Sequence, residues 1–245
     1  GGRTVELATH EANGFRVTIE QLDAAVTPAT KALLFVSPSN PTGAVYPRDE
    51  VEAIGRWAVE RGIWVVTDEI YEHLTFGGHE FFSMPTLVPE LADTCVVVNG
   101  VAKTYAMTGW RVGWMVLPDE LVTAVERLTQ NLMIAAPTLS QIAAVAAFDG
   151  GVELQGHLAR YRANRDRLRD GLATLGVCRT APADGAFYLY TDVSAFTDDS
   201  DALARTWLND LGVAVTPGID FDPVDGHRWI RWSFAGDPDH IDTAL

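Results

Sequence analysis

The feature that most limits the folds open to this chain is an alternation in its first half. Four short apolar runs, rich in β-branched residues, are bounded by turn formers: KALLFVS (31–37), IWVVTDE (63–69), TCVVVNG (94–100) and RVGWMVLP (111–118). Apolar side chains at successive positions point to both faces of a strand, as they do in a sheet covered on both sides. Between the first two runs lies a helical pattern, with Ile54, Trp57 and Ala58 on one face and Gly62 as its stop. Strand, helix and strand in that order need a crossover connection. The expectation is an α/β fold with a mainly parallel sheet flanked by helices.

From about Glu120 the period changes. Leu121, Val125 and Leu128 mark one helix, and Leu158, Tyr161, Arg165, Leu168 and Leu172 mark another. Beyond Gly176 come strand-like pieces, GAFYLYTDV, GVAVTP and RWIRWSFA, with a helix near 201–211. This is an α+β layer, so a domain change is expected near residue 140: a large domain over 1–140 and a smaller C-terminal domain over 141–245.

Charge narrows the partners. Eighteen Lys and Arg against 33 Asp and Glu leave a net charge of −15, a field that repels nucleic acid and anionic membrane surfaces. The run ARYRANRDRLRDGL interleaves its arginines with acids and apolar residues, which reads as a solvated helix face. Acidic runs such as 197–201 read as solvated loops. Cys95, in an apolar run, reads as a buried thiol, and two distant cysteines support neither a disulfide framework nor a zinc site. No His or third acid stands at ligand spacing around Asp68 and Glu69, so no metal site is expected. No stretch approaches a membrane span and the first residues lack signal-peptide organisation, so the expected setting is the cytoplasm.

Four motifs carry chemistry. SPSNPTG (37–43) follows the first strand, Asp68-Glu69-Ile70-Tyr71 ends the second, Asn99-Gly100-Val101-Ala102-Lys103 follows the third, and Arg231 opens RWSFAG. Functional groups of an open α/β sheet collect at the carboxyl ends of its strands, where Asn40, Asp68 and Lys103 all fall. Each motif alone has a plainer reading: a Pro- and Gly-bearing turn, a strand-end acidic pair, a surface lysine. Met107, Trp110 and Trp114 read as core, and His73 and His79 as surface histidines.

Together, SPSNPTGAVY, DEIYEHLTF, NGVAKTYAMTGWRVGW and RWSFA resemble the class I/II aminotransferases, of the fold type I pyridoxal-phosphate (PLP) enzymes, in the family's order and over nearly the whole chain. The resemblance implies a partial PLP-binding large domain followed by the small domain. It implies that Lys103 forms the imine with PLP and then moves a proton at the substrate, and that Asp68 faces the ring nitrogen. Tyr71 and Asn40 would contact the phenolic oxygen, with Asn40 also reaching the substrate. Arg111 would pair with the phosphate and Arg231 with the substrate α-carboxylate. The partners implied are an L-amino acid and a 2-oxo acid, acted on by a homodimer. A lyase or decarboxylase of the same fold is the alternative enzyme; an inactive fragment serving as an interaction module is the alternative of another class.

The chain also departs from the family. Ala102 stands where relatives often carry a serine that binds phosphate. The N-terminal arm, phosphate loop and stacking aromatic of relatives have no candidate here, and the sequence stops at Leu245 within what resembles the final helix. The chain is therefore expected to be N-terminally incomplete, poorly stable alone and weak in binding PLP. No arginine in 130–140 could take a second substrate carboxylate, and Phe187 and Tyr188 lean slightly toward apolar or aromatic substrates, although core packing is the better reason for them.

Overall fold

The computed structural model describes all 245 residues. The first sheet holds β1 (Ala32–Val36), β2 (Trp64–Asp68), β3 (Cys95–Gly100) and β4 (Gly113–Val116), in that spatial order. β1, β2 and β3 run parallel, with Val36 opposite Asp68 and Asp68 opposite Val98; β4 returns antiparallel, with Gly100 opposite Gly113. The expected mainly parallel sheet is present.

Helix α1 (Ile19–Ala25) precedes β1 and is capped reciprocally by Thr18 and Gln21. Helix α2 (Arg48–Arg61) crosses from β1 to β2 and ends where Gly62 adopts a left-handed conformation, φ 62°. Its inward residues Val51, Ile54, Trp57 and Ala58 pack with Phe35, Val65 and Val97 in one 14-residue core. The β2–β3 connection adds Met84, of the short helix α3 (Met84–Leu87), and Leu91 to that core. The covered sheet expected from the apolar runs is found on this face only. Leu34, whose side chain alternates to the other face, is 70% exposed, and Met115 and Val116 on β4 are exposed too. The pattern of a strand records which residues are apolar, not whether a layer lies over them.

Helices α4 (Asp119–Leu132) and α5 (Thr138–Ala147) follow, and α4 buries none of its residues despite the apolar spacing of Leu121, Val125 and Leu128. Then α6 (Gly151–Thr174) runs for 24 residues and buries Tyr161, Asn164, Leu168 and Leu172. A second, antiparallel sheet of order β5-β7-β6 joins β5 (Tyr188–Asp192), β6 (Thr216–Pro217) and β7 (Trp229–Ser233). Helices α7 (Ser200–Thr206) and α8 (Pro238–Ala244) complete this layer. GVAVTP yields only the two-residue β6. Asn164 Nδ2 donates to the carbonyls of Phe234 and Gly236, both at 3.0 Å, tying α6 to the end of β7.

The two layers meet through the backbone. Ala183 and Gly185 donate their N–H groups to Thr42 O and Gly43 O at 3.1 and 2.8 Å, Phe76 donates to Asp184 O, and Ala186 donates to Leu74 O. The fit leaves no room for more atoms: a Cβ on Gly185 would stand 2.6 Å from Pro38 Cβ, and one on Gly43, whose φ is +68°, 2.7 Å from Ala183 Cα. Arg165, on α6, donates to Ala183 O and lies over the Phe76 ring. The segment 181–187 is thereby wedged between the turn that carries Asn40 and the stretch that carries Tyr71. Tyr71, Leu74 and Phe76 accordingly join the 18-residue core built mostly from α6, β5 and β7.

Candidate active site

Parallel pairing brings the ends of three strands to one edge of the first sheet. β1 leads into the turn holding Asn40, β2 ends at Asp68, and β3 leads into the loop holding Lys103. The second sheet reaches the same place through the wedge. Phe187 sits with its ring 5.6 Å from Lys103 Nζ and edge-on to Tyr71, with ring centroids 5.5 Å apart. Tyr71 and Tyr188 share a hydrogen bond of 3.0 Å between their hydroxyls. The Arg231 guanidinium lies 4.3 Å from the centroid of the Tyr188 ring. Arg231 Nη1 donates to Asn40 Oδ1 at 2.8 Å, and Nη2 to Thr216 Oγ1 at 3.0 Å. Lys103, Tyr71, Arg231 and Asn40 thus stand on one continuous string of contacts, threaded through Phe187 and Tyr188.

Asp68 is half-buried and accepts from the Ile70 N–H at 3.1 Å, a turn that fixes its carboxylate at the strand end. Burial, the neighbouring Tyr188 and the charge of Asp68 push the Tyr71 hydroxyl far above the ordinary phenol range, against a smaller downward pull from Arg231. That direction favours the protonated phenol. Arg231 Nε is buried with no partner within the protein, and each Nη carries a second N–H beyond the one given to Asn40 or Thr216.

Arg111 stands apart from that string. It is exposed, has a left-handed backbone, φ 55°, after the 3-10 turn Thr108–Trp110, and its Nη1 donates to Thr108 O at 2.9 Å. Val101 N–H donates to Val112 O, closing the loop between Lys103 and Arg111. Trp110, in the same loop, is 46% exposed, so its reading as core is corrected: the 3-10 turn aims the ring outward. Trp114 is half-buried beside Phe148.

Two residues near the site carry more than the sequence showed. Tyr188, attributed above to packing, joins Tyr71 to Arg231. Glu69 is 3% exposed behind the strand end, accepts from Ser83 and Thr67, and is pushed by burial up to about 7. Its neighbour in space Cys95 is buried, as expected, and burial raises its thiol to about 11. His73 and His79 are exposed and lie against Glu72 and Asp184, in keeping with surface roles. No group of three or more His, Cys, Asp or Glu is arranged to hold a metal ion. A separate hollow of about 420 Å³ is lined by Asn13, Arg16, Thr18 and Glu50, none of them on the string from Lys103.

The family model for aminotransferases of class I and II matches residues 1–245. The chain belongs to that family. Among similar proteins are an aspartate aminotransferase of Streptomyces avermitilis, 46% identical over 257 aligned positions that cover 99% of this chain and 61% of that one, and a valine–pyruvate aminotransferase of Mycobacterium tuberculosis, 43% identical with 100% and 63% covered. Among solved structures, an aminotransferase from Mycobacterium tuberculosis superposes with a TM-score of 0.89 at 43% identity, covering 98% of this chain and 62% of that one. An aspartate aminotransferase from Thermus thermophilus with maleate superposes with a TM-score of 0.89 at 37% identity, covering 98% and 62%. The chain therefore spans about three fifths of the length of these relatives.

Proposed function

We propose that the protein to which this chain belongs is a PLP-dependent aminotransferase that moves the amino group of an L-amino acid to a 2-oxo acid. The observation that carries the reading is the string of contacts from Lys103 to Asn40, which gathers a lysine, a protonated phenol and a carboxylate-binding guanidinium at one sheet edge. The names of the relatives support the same reaction class.

The residues present fit PLP. Lys103 Nζ rests against an aromatic face, and Arg231 and Tyr71 keep donors available, as a site for a planar anionic group requires. When bound, PLP supplies the electron sink that lets a proton leave the substrate Cα. In this reading the Lys103 amine would hold the cofactor and, when exchanged for the amine of the substrate, would be free to move that proton. Asp68 would face the pyridine nitrogen and favour its protonated form by its charge. Tyr71 and Asn40 donate to the phenolic oxygen. Arg231 grips the substrate carboxylate through its planar fork and Arg111 the phosphate, both roles for which a guanidinium suits better than an ammonium. Exchange of one substrate acid for the other uses the same Arg231 grip.

The remaining assignments belong to the same proposal: a large domain to about residue 140 and a small domain after it, a homodimer, and a cytoplasmic setting. No helix is long and apolar enough to cross a membrane. The test is chemical trapping. Protein mixed with PLP and reduced with borohydride should give one modified peptide, containing Lys103, and the unreduced protein should pass an amino group from an amino acid to a 2-oxo acid. Release of ammonia or carbon dioxide without transfer would replace the reading with lyase or decarboxylase chemistry.

A further inference from the structure

The hydroxyls of Tyr71 and Tyr188 are 3.0 Å apart, and the two side chains are 3% and 7% exposed. A phenol has one proton, so in an isolated pair one hydroxyl donates and the other's proton is left to point elsewhere. The surroundings of the two rings decide which. The Arg231 guanidinium stacks on the face of Tyr188 at 4.3 Å and is flanked by Phe221 at 4.7 Å. A cation on an aromatic face draws density from the ring and makes its O–H the stronger donor. Tyr71 carries no such stacked cation; burial, then Tyr188 and the nearby charge of Asp68, hold its proton on, and on distance alone either hydroxyl of the pair can be the donor.

We propose that Tyr188 is a positioning residue. Its hydroxyl donates to Tyr71 Oη, which turns the Tyr71 proton outward to the phenolic oxygen of the cofactor, while its ring seats the Arg231 guanidinium. The proposal rests on the aminotransferase reading above. It makes one side chain the common support of the substrate-carboxylate grip and of the donor that tunes the cofactor oxygen. A proton aimed at that oxygen lowers its basicity, and so lowers the pH midpoint of the bound cofactor's visible absorbance.

The test uses the PLP-loaded protein, with circular dichroism and melting of the cofactor-free variants to establish that they fold. Tyr188→Phe keeps the ring and removes the hydroxyl; the absorbance midpoint should rise by about 0.4 to 1 pH unit, the worth of one hydrogen bond. Tyr71→Phe should also raise it, and adding Tyr188→Phe to that variant should shift it no further. Tyr188→Leu removes the ring as well and should raise KM for the amino acid about two- to fivefold, a rise that Tyr188→Phe lacks. A midpoint moved by Tyr71→Phe and left in place by Tyr188→Phe overturns the positioning role and leaves the aminotransferase reading standing. Failure to trap any adduct at Lys103 in the parent protein overturns both, and is seen before any variant is compared.

Discussion

Arg231, on β7, donates to Asn40, which lies 191 residues earlier in the turn after β1. The second sheet and the first thus close on each other at the point where a substrate carboxylate is proposed to sit. Replacing Arg231 with Lys keeps the charge but loses the fork that meets Asn40 and Thr216 together. KM for the amino acid should rise about 10- to 100-fold, the cost of a charged hydrogen bond, with a smaller effect on kcat. Equal losses in KM and kcat would place Arg231 in the chemical step.

Removal of Lys103 tests a different step. Lys103→Ala should yield no borohydride-reducible adduct and should lower amino transfer by about 10²- to 10⁴-fold or more, the range for losing a positioned acid–base group. External amines should restore part of the rate, because the missing function is a proton carrier.

Glu69 predicts a pH dependence of stability. Burial lifts its carboxyl from the ordinary 4.5 to about 7 in the folded protein, so the native state holds a proton that the unfolded chain has released between those values. Its stabilisation is complete below pH 4.5, declines as pH rises, and is gone above about 7. Glu69→Gln stays neutral at every pH. The difference in Tm between the two proteins should open across pH 4.5–7 in favour of the variant, and parallel curves would assign the effect to other groups.

Gly185→Ala tests the wedge. The added methyl would stand 2.6 Å from Pro38 and 2.8 Å from Val45 Cγ2, so the segment must back away from the turn that carries Asn40. Overpacking of this kind costs about 1–3 kcal/mol. Tm should drop by several degrees, and KM should rise as Asn40 and Arg231 separate. A normal KM in a destabilised variant would uncouple the wedge from the site.

Much of this is legible in the sequence. Ile54, Trp57 and Ala58 sit on the buried face of α2 because a period of 3.6 dictates it, and Asp68 and Lys103 meet at one edge because adjacent strands are parallel. The antiparallel return of β4 was not readable, since an apolar run has no direction. Nor was the exposure of Leu34: a run apolar on both faces implies a cover without supplying one. Tyr188 and Glu69 escaped for a further reason. An aromatic in a strand and an acid at a strand end are both ordinary, and only the packing of Arg231 on one and the burial of the other set them apart.

The wedge also bears on how such a protein can change over generations. Its contacts run from the N–H groups of Ala183, Gly185 and Ala186 and from the carbonyl of Asp184, all of them main-chain atoms. The side chain at 182 takes no part in these bonds, that of Asp184 faces His79, and Gly43 and Gly185 are held by lack of space. This joint tolerates change least where it has no side chain, because any added atom at either glycine presses the wedge against the turn that carries Asn40.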